Sequence, residues 1–189
     1  MAAATIVLLV VVGLIVIFIL WLIGAYNGLI QLRNRVQNAW AQIDVQLKRR
    51  HDLIPNLIET ARGYMQHERG TLEAVTQARN LAQKASSPGE SAKAEGQLSS
   101  ALGQFFLVVE AYPNLKANEN FLALQEELTS TENKISFARQ FYNDTVLRFN
   151  NQTQMFPSNI VAGRAGFKPG EFFELTVAEE RVAPKVSFT

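Results

Sequence analysis

Between Ala2 and Leu32 no side chain is charged, and Ile6 to Ile23 reads IVLLVVVGLIVIFILWLI, apolar throughout. Polar Tyr26 and Asn27 follow within a turn. No proline occurs before Pro55, and over that stretch the pattern changes: Leu29, Leu32, Val36, Trp40, Ile43 and Leu47 recur at alternating steps of three and four. The apolar run predicts a membrane span, and the 3-4 stripe predicts one face of a water-exposed helix with coiled-coil spacing. One helix can carry both, passing from lipid into a helical bundle.

The stalk is expected to run from Tyr26 to about His51, with Lys48, Arg49 and Arg50 as last-turn cations that suit the helix dipole. Asp52 can cap a next helix. Pro55 disfavours the α region at Ile54 and fits a first helical turn, so a tight turn is expected near residues 51–55. The alternative is one long helix kinked at Pro55. The second helix is expected from Pro55 to about Ala85, with Leu57, Ala61, Tyr64, Leu72, Val75, Ala78 and Ala82 as its apolar face. Gly63 and Gly70 weaken it. Ser86-Ser87-Pro88-Gly89 is the clearest loop. The third helix is expected over Glu90 to Tyr112, striped by Leu98, Ala101, Phe105, Val108 and Tyr112. The fourth is expected from about Asn118 to Gln154, striped by Phe121, Leu124, Leu128, Ile135, Ala138, Tyr142, Thr145 and Phe149.

At 1.5 Å per residue the four soluble helices come to roughly 39, 46, 35 and 55 Å. Similar lengths and short loops predict an all-α chain, an N-terminal transmembrane helix continuing into an antiparallel up-and-down four-helix bundle. The expected domains are a transmembrane anchor over 1–25, a bundle over 26–156 and an irregular tail over 157–189. In that tail Phe167, Phe172 and Phe173 have no helix of their own to bury them. They are expected to dock on the bundle, on a neighbouring copy or on the membrane surface.

The apolar run is about 20 residues, enough for about 30 Å of hydrocarbon. A signal peptide would want a basic start and a small-x-small cleavage site, whereas Gly24-Ala25-Tyr26-Asn27 cleaves poorly. Trp21 and Tyr26 fall where an interfacial aromatic belt would lie. Arg33 and Arg35, then Lys48-Arg49-Arg50, follow the span and no Lys or Arg precedes it. The positive-inside rule therefore puts the C-terminal bundle in the cytoplasm, with an extracytoplasmic placement as the alternative.

Composition removes several functions. The formal net charge of +1 over 189 residues gives no global basic field for nucleic acid. The absence of cysteine excludes thiolate metal sites and thiol nucleophiles. His67-Glu68 begins a His-Glu-x-x-His string, but position 71 is threonine, and His51 lies sixteen positions away. Both histidines are expected to be exposed or at helix ends, with no metal role. Glu126, Glu127, Glu132 and Asp144 could supply acid/base carboxylates, yet helical carboxylates opposite an apolar stripe are normally a solvated face. Lys48-Arg49-Arg50-His51 is the densest basic patch, about 35 Å along a straight stalk from the membrane end. It could meet an acidic partner, although solvation and dipole compensation also explain it. No nucleophile elbow or phosphate-binding glycine loop occurs. No catalytic, cofactor-binding or metal residue is assigned, and no cofactor is expected.

Three longer strings carry a family resemblance. AWAQIDVQLKRRHDLIPNLIET (Ala39 to Thr60), EAYPNLKANENFLALQEELTSTENKISFARQFYNDTVLRFN (Glu110 to Asn150) and FPSNIVAGRAGFKPGEFF (Phe156 to Phe173) resemble the LemA family in order and spacing. The resemblance covers nearly the whole chain beyond the span. It implies a bacterial membrane protein with an N-terminal membrane helix, a short N-terminus outside and an antiparallel four-helix bundle. It also implies kinship with a magnetosome-formation protein, and it brings no catalytic residues.

Asn27, Gln31, Asn34, Gln37 and Asn38 give the early stalk a polar, nearly uncharged face. Such a face suits contact between copies, because buried amides pair without burying ions; the alternative is a helix already enclosed by its own bundle. The sequence thus points to a non-enzymatic, membrane-anchored scaffold that self-assembles in a bacterial inner membrane. The alternative is a low-order adaptor that tethers or regulates another membrane protein, such as a protease or a signalling component. The expected partners are the bilayer, further copies of the chain and a possible membrane protein, and no nucleic acid.

Overall fold

The computed structural model describes residues 2–174, and these form six helices and no strand. They are α1 (Ala2–Arg62), α2 (Arg69–Lys84), α3 (Pro88–Val109), α4 (Pro113–Lys116), α5 (Glu119–Gln154) and α6 (Ser158–Arg164). The described residues are all-α, with a long apolar N-terminal helix as the hydropathy pattern predicts. The described residues form two compact units: 2–39 with 142–170, and 40–141 with 171–174. The last fifteen positions of the expected tail, 175–189, lie outside the described residues.

The first unit holds the apolar run of α1, the end of α5, and α6. Leu29, Val161 and Ala162 are buried together, with Leu22, Ala25 and Phe167 packed against them. The expectation that the tail lacks a helix is corrected here, because Ser158–Arg164 is helical. Gly166, at φ +73°, ends α6 in the left-handed region. The Phe167 N–H donates to the Ala162 carbonyl at 3.0 Å, which closes a Schellman-type stop. That stop turns Phe167 inward against Tyr26 and Phe149, with ring centroids 6.0 and 6.3 Å away. Buried Asn150 then fastens the returning chain at two points. Its Nδ2 donates to the Gly170 carbonyl (3.0 Å) and its Oδ1 accepts from the Gly170 N–H (2.7 Å).

The second unit corrects the expected turn at residues 51–55. Helix α1 runs through Pro55 without a break to Arg62, and the turn falls at residues 63–68 instead. A proline inside a helix leaves the carbonyl four residues earlier without its N–H partner. That carbonyl belongs to His51, and the Arg79 Nε–H of α2 donates to it at 3.1 Å. A neighbouring helix thus supplies the hydrogen bond that Pro55 removes. The expected second helix is therefore two pieces, the last turns of α1 and the 16-residue α2. Leu57, Ala61, Leu72, Val75, Ala78 and Ala82 are buried as expected, whereas Tyr64 is exposed and Met65 takes the core position. Leu98, Leu102, Phe105 and Val109 of α3 and Phe121 and Leu128 of α5 complete this core.

The expected loop at Ser86–Gly89 closes as a cap, with Pro88 in the first turn of α3. The Ser87 hydroxyl accepts from the Glu90 N–H, and the Glu90 carboxylate accepts from the N–H (3.0 Å) and hydroxyl (2.8 Å) of Ser86. The Ser86 backbone and hydroxyl bonds hold the Glu90 carboxyl below its ordinary range.

Both local devices are testable. Arg79→Ala should destabilise the protein by about 1–3 kcal/mol, the cost of an unsatisfied buried carbonyl. In a Pro55→Ala background the same change should cost less, because an alanine at that position supplies the missing N–H; thermal melts of the double-mutant cycle in mild detergent measure the difference. The cap should also be pH-dependent. Because the folded Glu90 carboxyl is depressed, its contribution is full above the ordinary carboxylate range and fades as pH falls through and below it. Glu90→Gln should therefore show a smaller drop in melting temperature from neutral to strongly acid buffer than the parent.

Candidate functional site

The most concentrated polar chemistry lies inside the second unit. Arg50 and His51 stand on consecutive positions of α1, four and three residues before Ile54, within its buried stripe. Glu95 stands on α3, three residues before Leu98. All three are buried: Arg50 is 4% exposed, His51 6% and Glu95 2%. Arg50 Nη1 lies 3.1 Å from Glu95 Oε2, and His51 Nε2 lies 2.6 Å from Glu95 Oε1. Glu95 thus meets Arg50 at one carboxylate oxygen and His51 at the other. Arg50 Nη2 donates to the Ser99 hydroxyl at 2.9 Å, and Nη1 also pairs with Glu132 Oε2 of α5 at 3.2 Å. Outside this cluster Arg49 pairs with Glu127 of α5.

This geometry corrects two expectations. Lys48 to His51 are not the last turn of a stalk, because α1 continues past them to Arg62. Arg50 and His51 are not solvated; they join α1 to α3 and α5 from within the core. The carboxylates divide. Glu126 and Asp144 are exposed as expected, whereas Glu127 and Glu132 serve as ion-pair partners of α1. His67 is exposed in the turn before α2, and Glu68 accepts from the Tyr112 hydroxyl at 3.3 Å. Burial and that neighbouring carboxylate push the Tyr112 phenol up. Among the described residues no group of three or more His, Asp or Glu side chains is placed to hold a metal ion.

Sequence reasoning missed Glu95. Its signal was present: Ser91, Glu95, Leu98, Leu102, Phe105 and Val109 follow steps of four and three, so a carboxylate sits in register within the apolar stripe. Arg50 occupies the matching place between Leu47 and Ile54 on α1. Opposite charges inside two facing stripes are what a buried pair requires. Beside the cluster, a cleft of about 310 Å³ opens between α3 and α5, with Arg50, Ser99 and Glu132 at its polar end and Leu102, Phe106 and Leu128 along its wall. A shallower apolar groove is lined by Ala41, Val45, Phe137 and Phe141.

The model of the LemA family matches residues 39–188, which contain the whole of this cluster. The chain belongs to the LemA family. It is similar to "Protein LemA" of Metamycoplasma hominis, with 31% identity over 150 residues, 77% of this chain and 67% of the relative. It is also similar to "Magnetosome protein MamQ 2" of Paramagnetospirillum magneticum, with 23% identity over 186 residues, 85% of this chain and 68% of the relative. "Magnetosome protein MamQ" of Magnetospirillum gryphiswaldense is 21% identical over 185 residues, 84% of this chain and 68% of the relative. Among the described residues of this LemA-family chain, one helix, α1, is long and apolar enough to cross a membrane. Family and helix together describe a membrane-associated LemA-family protein.

The buried cluster makes an asymmetric prediction. Glu95→Ala leaves Arg50 without its buried partner and should cost about 3–5 kcal/mol. Glu132→Ala removes a carboxylate that is 46% exposed and should cost at most about 1 kcal/mol. Replacing Arg50 and Glu95 together by Met and Leu should recover most of the loss. Urea unfolding of the three variants in mild detergent checks the order.

Proposed function

We propose that this LemA-family protein is a non-enzymatic, membrane-anchored scaffold that assembles through a seam on α1. The observation that carries the reading is an exposed 3-4 series. Gly24, Asn27, Gln31, Asn34 and Asn38 recur at steps of three, four, three and four, and all five are exposed. Leu29, Leu32, Val36 and Ala39 form the buried or half-buried seam of the same helix. A second seam of amides at coiled-coil spacing, with no charge along it, suits parallel contact between copies. Spans inserted the same way hold such copies parallel, and amides at core positions fix their register. The expected antiparallel four-helix bundle belongs to this reading as the body that each copy displays.

The unit that carries the span favours a cytoplasmic bundle. Residues 1–39 and 142–170 hold Arg33, Arg35, Arg148, Arg164 and Lys168 against the single acid Asp144. Cations beside a span favour the cytoplasmic side of a bacterial inner membrane. The adaptor reading draws on a different observation: Phe137 is 74% and Phe141 54% exposed in the groove with Val45, a place for one helix of a partner.

The protein-only mass of the full chain in mild detergent tests the scaffold. A discrete assembly is expected, and Asn34→Glu with Asn38→Glu should reduce it to a monomer of unchanged melting temperature. A parent chain that stays monomeric across concentrations would sink self-assembly and leave the adaptor.

A further inference from the structure

We infer that the turn between α5 and α6 is a second membrane contact, inserted into the lipid headgroup region beside the span. The turn and the start of α6 expose large apolar groups: Phe156 is 80% exposed, Met155 62% and Ile160, in α6, 51%. It is a tied turn. The Ser158 hydroxyl lies 2.7 Å from the Gln152 carbonyl oxygen and 2.9 Å from that of Met155, and the Asn159 N–H donates to the Met155 carbonyl. Its level along α1 is set by packing. The inner face of α6, Val161 and Ala162, packs with Leu22, Ala25 and Leu29. Leu22 belongs to the apolar run itself, so a bilayer that covers the run reaches the flank of α6. An α-helix with side chains is about 10 Å across, so the outer groups of α6 and its turn lie within interfacial depth.

The charge around the turn fits the same occupant. The unit holding it carries five cations and one acid, a net +4, although the chain as a whole is +1. Arg164 and Lys168, just past the apolar groups, are both exposed. Apolar wedges flanked by cations match an anionic lipid surface. Trp21 and Tyr26 bracket the same level on α1, where an interfacial belt falls.

The inference rests on the apolar run crossing the bilayer, and one experiment separates the two. The chain has no cysteine, so Ile15→Cys, Phe156→Cys, Ile160→Cys and Leu107→Cys each give one labelling site in the full chain. Each is labelled with an environment-sensitive fluorophore and reconstituted in vesicles of phosphatidylcholine and phosphatidylglycerol. Spin-labelled lipids carry the quencher either near the headgroup or deep in the acyl chain. The label at 156 should lose most of its emission to the shallow quencher and little to the deep one, and the label at 160 should repeat this. The label at 15 should show the reverse, and the label at 107, a site 75% exposed on α3, should respond to neither. Loss of deep quenching at 15 would overturn the span and this inference together. A quenched 15 with 156 and 160 behaving like 107 would overturn this inference alone. Blue-shifted emission at 156 and 160 that neither lipid quenches would place the turn against protein and would also overturn it.

Discussion

A charge taken out of water must find its partner, and that constraint governs the second unit. Arg50 and Glu95, 45 residues apart in sequence, are buried on α1 and α3. A pair of leucines there would pack in several registers, because apolar contact is non-directional. An arginine and a glutamate satisfy each other only when α1 and α3 align so that the guanidinium and carboxylate meet. His51 takes the second Glu95 oxygen, and Glu132 brings α5 to the same guanidinium. The desolvation penalty makes this a poor source of net stability and a good source of uniqueness. Three helices are tied through the one Arg50 guanidinium.

The same logic explains how α1 keeps its helical path through Pro55. The helix loses one internal hydrogen bond, and the lost acceptor is the carbonyl of His51, a member of the buried cluster. Arg79 fills it from α2. One short segment of α1 thus receives a cation from α2 at its backbone and an anion from α3 at its side chains. Local breakage at the proline is compensated by tertiary contact, which is why residue-level turn chemistry at Ile54-Pro55 gave way. The break falls at Gly63, past the end of α1, where Tyr64 and Met65 donate to the Ala61 carbonyl as the helix ends.

Much of this was legible from periodicity. The run Ile6 to Ile23, the stripe from Leu29 to Leu47 and the bounds of α5 follow directly from spacing of apolar residues. The stripe of α3 was read one position off in places, since Leu102 and Val109 rather than Ala101 and Val108 are fully buried. Adjacent apolar pairs such as Ala101-Leu102 and Val108-Val109 leave that choice to the facing helix. The candidate site was less legible, because charged residues were read as solvent-facing by type. Arg50 and Glu95 each interrupt a stripe in register, and position outranked type. The Arg79 bond to His51 had no sequence signal, since any exposed arginine on α2 could be written the same way. Gly166 supplies a left-handed stop that turns Phe167 into the first unit.

The near-neutral total charge conceals how the chain is divided. The unit with the apolar run is net +4, so the remaining residues, 40–141 and 171–189, are net −3. Acidic residues are almost excluded from this unit, although the chain as a whole has 17 acids to 18 cations. Glu and Asp beside an anionic leaflet would be repelled, and a cation there is attracted. The Arg33 guanidinium lies 5.4 Å from the centroid of the Phe167 ring, and the residue is exposed. A neutral side chain at Arg33 could pack on Phe167 but would lose the cation–ring attraction, and an acid would meet the negative face of the ring.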